Sequence, residues 1–355
     1  MRVMVTGAAG FIGKHICDKL LQLHHHIIAV DDLSGGDQNL LWMIQNKCNN
    51  RLEFHELDLV NYKRTEELIL EKEPEVVFHC AATAREGASH FDPVNMVNRN
   101  IVTYANVIEN CIKASSLKRF VLFSSMSVYG DQKSPFSEDM PKKPVDVYAQ
   151  CKAFMEDSIA DLSEAHDFEY VIVRPHNVYG EGQSMSDRYR NVVMIWINSL
   201  LRGEKINIYG DGSHKRAYSY IGDSIEAYIK CGFQFGLHGE IINIGSSKEY
   251  TLNELCDCIL QEYFPTSHLN EIHDDYVVYL PDRFKEVDGA WCSTEKSEKL
   301  LGFKDKVSLK EGIKHSIAWA RQEGYQEWTE YRLPLLNSKC PSNWIFENKI
   351  TKIIK

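Results

Sequence analysis

The chain has 355 residues, enough for one large domain or two moderate ones, and its apolar (44%) and charged (25%) fractions are those of an ordinary globular protein. A net charge of −10 argues against a nucleic-acid partner, because phosphate backbones are gripped by clustered Lys and Arg; a small basic site for a diphosphate stays compatible with it. The longest apolar run, Val192 to Leu201, is broken by Asn198 and Ser199 and is too short to cross a bilayer, so no membrane association is expected.

In chain order, short β-branched runs alternate with longer amphipathic ones, the pattern of a parallel α/β sheet. Strands are predicted at Arg2–Val5, Ile27–Val30, Leu52–Glu56, Val76–His79, Phe120–Ser124 and Tyr170–Arg174, with helices at Gly13–Gln22, Tyr62–Lys72, Val97–Ala114 and Val147–Ala165. Most of the strands are apolar throughout, as expected where both sheet faces are covered. Beyond Arg174 the pattern loosens, with Gly-, Ser- and charge-rich loops at 180–191 and 209–213, and Ile241–Ile244 reads as a return to the main sheet. The expected organisation is a nucleotide-binding domain over 1–179 with returning segments near 213–246. A smaller, discontinuous α/β lobe is expected over 180–212 and 247–330, with a tail over 331–355 that wraps the surface or frays.

The apolar start Val3-Met4-Val5 meets Thr6-Gly7 too soon for a secretory leader. Ten cysteines lie scattered with no C-x-x-C pair, and we read them as free thiols of a reducing, cytoplasmic compartment.

The first strand runs into Gly7-Ala-Ala-Gly10-Phe-Ile-Gly13 and then a helix. A tight turn needs glycine where φ is positive, a pyrophosphate approaches closely only where there is no Cβ, and the helix N-terminus offers free N–H groups. The second strand ends in Val30-Asp31-Asp32, with Asp31 eighteen residues past Gly13. A carboxylate there accepts both ribose hydroxyls of NAD and repels the 2′-phosphate of NADP, and no Arg or Lys near it in sequence reverses that choice. Asp58 stands where a carboxylate meets an adenine amino group or, equally, where it caps the following helix.

Farther on, Phe120-Val-Leu-Phe-Ser-Ser125 leads to Met126-Ser-Val-Tyr129-Gly130, and a helix then carries Tyr148-Ala-Gln-Cys-Lys152. The i, i+4 spacing puts Tyr148 and Lys152 on one face. A phenol is a poor base at neutral pH, but a nearby ammonium favours phenolate, and a serine hydroxyl can share the substrate oxygen.

The ordered set Thr6-Gly-Ala-Ala-Gly-Phe-Ile-Gly13, His79-Cys-Ala-Ala82, Ser124-Ser-Met-Ser-Val-Tyr-Gly130, Tyr148-x-x-x-Lys152 and Arg174-Pro-His-Asn-Val-Tyr-Gly180 resembles the extended short-chain dehydrogenases, especially their nucleotide-sugar epimerase/dehydratase branch and its UDP-glucose 4-epimerase-like members. The resemblance covers residues 1 to 325 and implies a Rossmann-type doubly wound parallel sheet with a smaller substrate-binding lobe. It implies Ser125, Tyr148 and Lys152 as the catalytic triad. Its cofactor wall comprises Gly7, Gly10, Phe11, Ile12, Gly13, Asp31, Asp32, Asp58, Leu59, Ala81, Ala82 and Asn100, with Tyr148 and Lys152. At the Asn100 motif Thr103 and Tyr104 replace the usual Gly-Thr. On the substrate side it implies Asn177 at the diphosphate, Asn191 opening a helix and Tyr209 by the base. Arg216 and Arg283 would clamp the diphosphate, and Glu286 would touch a ribose. It also places Ala290, before Trp291, where a small residue leaves room for an N-acetyl group, and it implies a homodimer built on the helices at 97–114 and 147–165.

In the related 4,6-dehydratases and in the decarboxylating branch, acids follow the triad Ser or Thr; here those positions are Met126 and Ser127. Dehydration is therefore disfavoured, and the expected chemistry is C4 epimerisation of a UDP-hexose through a 4-keto sugar. The alternatives are a sugar dehydrogenase or 4-keto reductase with net NAD(H) turnover, an epimerase acting at another carbon or on GDP- or CDP-sugars, or a nonenzymatic dinucleotide sensor. No metal is expected at His24-His25-His26, since consecutive side chains diverge in regular structure.

Overall fold

A computed structural model describes residues 1–36 and 51–344. The first half builds β1 (Arg2–Thr6), α1 (Phe11–Gln22), β2 (His26–Asp31), β3 (Leu52–Glu56), α2 (Tyr62–Lys72) and β4 (Val76–His79). There follow α3 (Pro93–Met96), a wide π-helical turn at Val97–Val102, α4 (Thr103–Lys113), β5 (Arg119–Phe123), α5 (Val147–His166) and β6 (Glu169–Pro175). The predicted strands and helices are thus present, with ends shifted by a residue or two. The exception is the predicted helix 97–114, which is not continuous α-helix. The Asn100 side chain donates to the Met96 carbonyl at 2.9 Å and the Thr83 carbonyl at 3.3 Å, and the helix widens around that anchor.

The chain then crosses to a second layer with β7 (Val178–Tyr179), α6 (Val192–Leu201), β8 (Ile206–Tyr209), β9 (Lys215–Ala217) and β10 (Ser219–Tyr220). It returns through α7 (Ile221–Phe233) to β11 (Glu240–Ile244), and closes with β12 (Glu249–Thr251), α8 (Leu252–Tyr263), α9 (Leu269–Tyr276), β13 (Val277–Leu280), β14 (Gly289–Ala290), α10 (Glu295–Leu301) and α11 (Leu309–Glu323).

The central sheet is wholly parallel, in the order β11-β6-β5-β4-β1-β2-β3, a Rossmann-type doubly wound arrangement. Its strands read as unbroken apolar runs because alternate side chains enter two separate cores. Val3, Val5, Ile27, Ala29, Phe78, Val121 and Val173 pack with Ile16 and Leu20 of α1 and Tyr228 of α7. Met4, Ile28, Val30, Val77, Phe120, Leu122 and Ile172 pack with Ile69 of α2, Val107 of α4 and Ile159 of α5. A third core joins α6, β8, α8 and α11 through Trp196, Ile208, Ile259 and Ile313. No helix among the described residues is long and apolar enough to cross a membrane.

Candidate active site

Because β1 lies between β2 and β4, the strand order reverses at its C-terminal end, and the crevice opens there. Gly7 has φ +66°, and a Cβ on it would sit 2.7 Å from the Ala81 amide; a side chain on Gly13 would collide with the Gly7 carbonyl. Gly10 caps α1 without any side-chain acceptor, so the amides at the start of that helix, at Phe11, Ile12 and Gly13, remain open to the cleft. At the end of β2 the buried Asp31 accepts from the Ala9 amide (2.9 Å) and the Leu33 amide (2.8 Å), and burial raises its carboxyl. A glycine cradle that any Cβ would fill, an uncapped helix end and a fixed carboxylate at the neighbouring strand end fit NAD.

Asp32 and Asp58 are not free acids. Arg99, from the π-helical turn, pairs with Asp32 and lies 3.0 Å from Asp58, so a guanidinium does reach this strand end, from 67 residues away in sequence. Asp58 does not cap α2 either: Asn61 does, accepting from the Arg64 amide, while Asp58 accepts from Val60. Leu59, Ala81 and Ala82 line the cleft. Asn100 stands behind its wall, fully buried and bonded to Met96 and Thr83, with Oδ1 unpartnered among the described residues.

Deeper in the cleft, β5 delivers Ser125 and α5 delivers Tyr148 and Lys152. The Lys152 ammonium lies 5.7 Å from the Tyr148 ring centre, as the helical spacing requires, and donates to the Phe123 carbonyl at 2.7 Å. Burial pushes Lys152 down to about 8 and raises the Tyr148 phenol; Glu86 and Asp146 raise that phenol further, while Ser125 and Arg190 oppose them. The Ser127 hydroxyl donates to Ser125 Oγ at 2.9 Å, so the second residue after the triad serine orients it. Behind these groups, Glu156 binds Arg174 and the Ser124 hydroxyl in the core.

Toward the small lobe, Asn177 (φ +32°) turns the chain out of β6 and donates to the Ala217 carbonyl at 3.0 Å. Asn191 does open a helix, capping α6 through the Val193 amide. Arg216 reaches one oxygen of Glu286 at 2.7 Å and Arg283 reaches the other at 2.5 Å, so both guanidiniums share one carboxylate. The Arg283 guanidinium lies 5.2 Å from the Tyr209 ring centre. Ala290 lines the cleft.

Three features were invisible to motif reading. The chain after α11 neither frays nor wraps a remote surface over its described part: it walls the cleft. Asn343 exchanges hydrogen bonds with the Tyr209 hydroxyl (2.8 and 3.0 Å), and Leu333, Cys340 and Trp344 form a small core with Ala88, Phe91 and Tyr189. Tyr331 stacks under Arg85 at 3.9 Å. Residues 345–355 of the predicted tail lie outside the described residues. The second feature is Arg99. The third is acidic: although Met126 and Ser127 follow the triad serine, the fold brings Glu86 and Asp146 to the neighbourhood of Tyr148. Local sequence could not signal this, since Glu86 arrives on the loop after β4. His24, His25 and His26 diverge, to Arg51, to the Phe233 ring and into β2 respectively.

Residues 3–245 match the NAD dependent epimerase/dehydratase family. The chain is 32% identical over 320 residues to a putative UDP-glucose 4-epimerase of Methanocaldococcus jannaschii, covering 90% of this chain and 98% of that protein. Among solved structures it superposes on the UDP-glucose 4-epimerase of Thermotoga maritima with UDP-glucose (TM-score 0.82, 29% identity, 91% and 99% of the two chains). It also superposes on the UDP-glucuronic acid 4-epimerase of Bacillus cereus in complex with UDP-glucuronic acid and NAD (TM-score 0.81, 26% identity, 91% and 100%).

Proposed function

The chain belongs to the NAD-dependent epimerase/dehydratase family, and from that premise we propose that it is a nucleotide-sugar 4-epimerase acting on a UDP-hexose through a transient 4-keto sugar. The observation that carries this reading is the meeting of Ser125, Tyr148 and Lys152 with the glycine cradle in one cleft of about 790 Å³. Its size suits a dinucleotide and a nucleotide sugar together.

NAD, when bound, supplies the acceptor and then the donor of hydride at C4 of the sugar. Gly7, Gly10 and the first amides of α1 would hold its pyrophosphate and Asp31 the adenosine ribose; Asp32, Asp58, Leu59, Ala81 and Ala82 would complete the wall, with Asn100 supporting it from behind. Tyr148, as phenolate, takes the C4 hydroxyl proton and later returns it, and Ser125, oriented by Ser127, donates to the same oxygen. Lys152 stabilises the phenolate by charge. Asn177, Asn191, Tyr209, Arg216, Arg283 and Glu286 hold the nucleoside diphosphate while the 4-keto sugar turns about that anchor and presents its other face.

The two layers divide this labour: segments 1–179 and 221–246 build the sheet that carries the cofactor wall and the triad, and segments 180–220 and 247–330 supply the substrate contacts apart from Ser125 and Asn177. Exposed Val94 (70%), Val97 (40%) and Phe154 (50%) on the packed helical segments at 93–102 and 147–166 support a homodimer joined through those helices. The unpaired buried thiols support a reducing, cytoplasmic setting. The test is proton NMR of the anomeric signals when the NAD-loaded protein meets UDP-glucose. A galacto-type signal without net NADH supports the proposal; an unchanged sugar, or NADH in step with product, refutes it.

A further inference from the structure

The loop after β4 puts a carboxylate where the proposed sugar must lie. Glu86 lines the cleft that also holds Arg216 and Arg283, assigned to the diphosphate, and Ser125 and Tyr148, assigned to C4. Its charge is felt by Tyr148 and it feels those of Asp146, Arg283, Arg216 and Glu286. The loop is held firmly: the Ser89 amide and hydroxyl donate to the Glu86 carbonyl at 3.1 and 2.6 Å, and the same hydroxyl lies 3.3 Å from Asp146 Oδ1. At the next residue a Cβ on Gly87 would lie 3.2 Å from the Trp344 ring and 3.8 Å from the Arg283 guanidinium, so neighbouring walls close on this turn. The Glu86 carboxylate itself makes no hydrogen bond or ion pair with the described residues, and its side chain is open to the cleft. An acid held among polar groups but left without a partner is an acceptor awaiting a donor.

We propose that Glu86 reads the hexosyl ring, accepting hydrogen bonds from sugar hydroxyls and excluding sugars that carry a carboxylate, so that neutral hexoses are substrates and uronates are not. This deepens the 4-epimerase reading and rests on it for the position of the ring. Two like charges roughly 6 Å apart across a cleft of intermediate dielectric weaken binding about 100-fold.

The charge depends on pH. Glu86 remains exposed to the cleft, but the walls that enclose it and the Asp146 charge push it up to about 7, against the pull of Arg283 and Arg216; Glu286 adds to the rise. Asp146 itself is pushed up to about 6 by burial, so near neutrality Glu86 is the acid whose charge changes most. Above pH 7 the carboxylate repels a uronate, and below it the repulsion fades.

The experiment measures affinity of the NAD-loaded protein for UDP-glucose and UDP-glucuronate by calorimetry, at pH 6 and pH 8.5, in the native chain and in Glu86→Gln. Taking the ratio of the two affinities cancels the shared diphosphate. The native ratio is expected at about 25 at pH 8.5, where a uronate can bind by protonating Glu86, and below about 2 at pH 6, and below about 5 at both pH values in Glu86→Gln. Equal native affinities at pH 8.5, or a ratio at that pH that Glu86→Gln leaves unchanged, overturn the proposal. A 4-keto-6-deoxy product that disappears in Glu86→Gln also overturns it, by making Glu86 an elimination acid. Failure of the 4-epimerase reading looks different: the ratio behaves as stated while bound UDP-glucose is not epimerised.

Discussion

Glu156 and Arg174 offer a quantitative check on the scaffold beneath the triad. Their side chains are 1% and 2% exposed, and two hydrogen bonds of 2.6 and 2.9 Å join them, with the Ser124 hydroxyl donating to the same carboxylate. The guanidinium also faces the Tyr129 ring at 4.6 Å. Glu156→Gln preserves shape but leaves the Arg174 charge in the interior without a counter-charge, a change that costs about 3–5 kcal/mol. With an unfolding entropy of about 2 cal/mol/K per residue, this corresponds to a fall in Tm of about 4–7 °C for a chain of this length. Calorimetry at fixed NAD concentration reads it, since bound ligand shifts Tm on its own. The double variant Glu156→Gln, Arg174→Met removes both charges, and should recover more than half of the loss, the remainder reflecting the lost contact with Tyr129. A single variant within 1 °C of the native chain, or a double variant as unstable as the sum of the singles, would refute the assignment of a buried, coupled pair.

Tyr148→Phe should lower kcat more than 100-fold in the NMR assay, whereas a loss under tenfold contradicts its role as the proton acceptor. Gly7→Ala, with φ +66° and a Cβ 2.7 Å from the Ala81 amide, should weaken NAD binding at least 30-fold by fluorescence titration. Truncation after Glu323 removes Leu333, Cys340 and Trp344 from their small core and Asn343 from Tyr209, and should weaken UDP binding about tenfold by calorimetry. Lys152 has its folded pKa lowered to about 8, so above that pH the unfolded chain binds more protons at this site. Stability should therefore gain between pH 8 and 10.5 relative to Lys152→Met, read as a difference in urea midpoints.

The sheet was legible because each strand enters two cores, so the apolar runs from Val3 to Val5 and from Val76 to Phe78 marked themselves. The glycine cradle, Asp31 and the Tyr148–Lys152 pair were legible for a related reason: each is a local pattern whose geometry follows from one turn, one strand end or one helix. What escaped is what crosses the fold. Arg99 reaches Asp32 and Asp58 over 67 and 41 residues, and nothing beside those acids announces it. The acids following Ser125 are absent from the sequence, yet Glu86 comes to Tyr148 on another loop. The chain after α11 lacks amphipathic periodicity because it docks through single rings and backbone bonds, such as Tyr331 on Arg85 and the Leu335 amide on the Phe91 carbonyl. The helix at 97–114 departed from its expected form at Asn100, whose side chain competes for backbone carbonyls.

The central claim is oxidation at C4 and return of the same hydrogen by a cofactor that stays bound. UDP-glucose deuterated at C4 tests it most directly. The account predicts UDP-galactose that retains deuterium at C4, with no accumulation of reduced cofactor. Product carrying protium at C4, or reduced cofactor formed in step with it, would contradict the account.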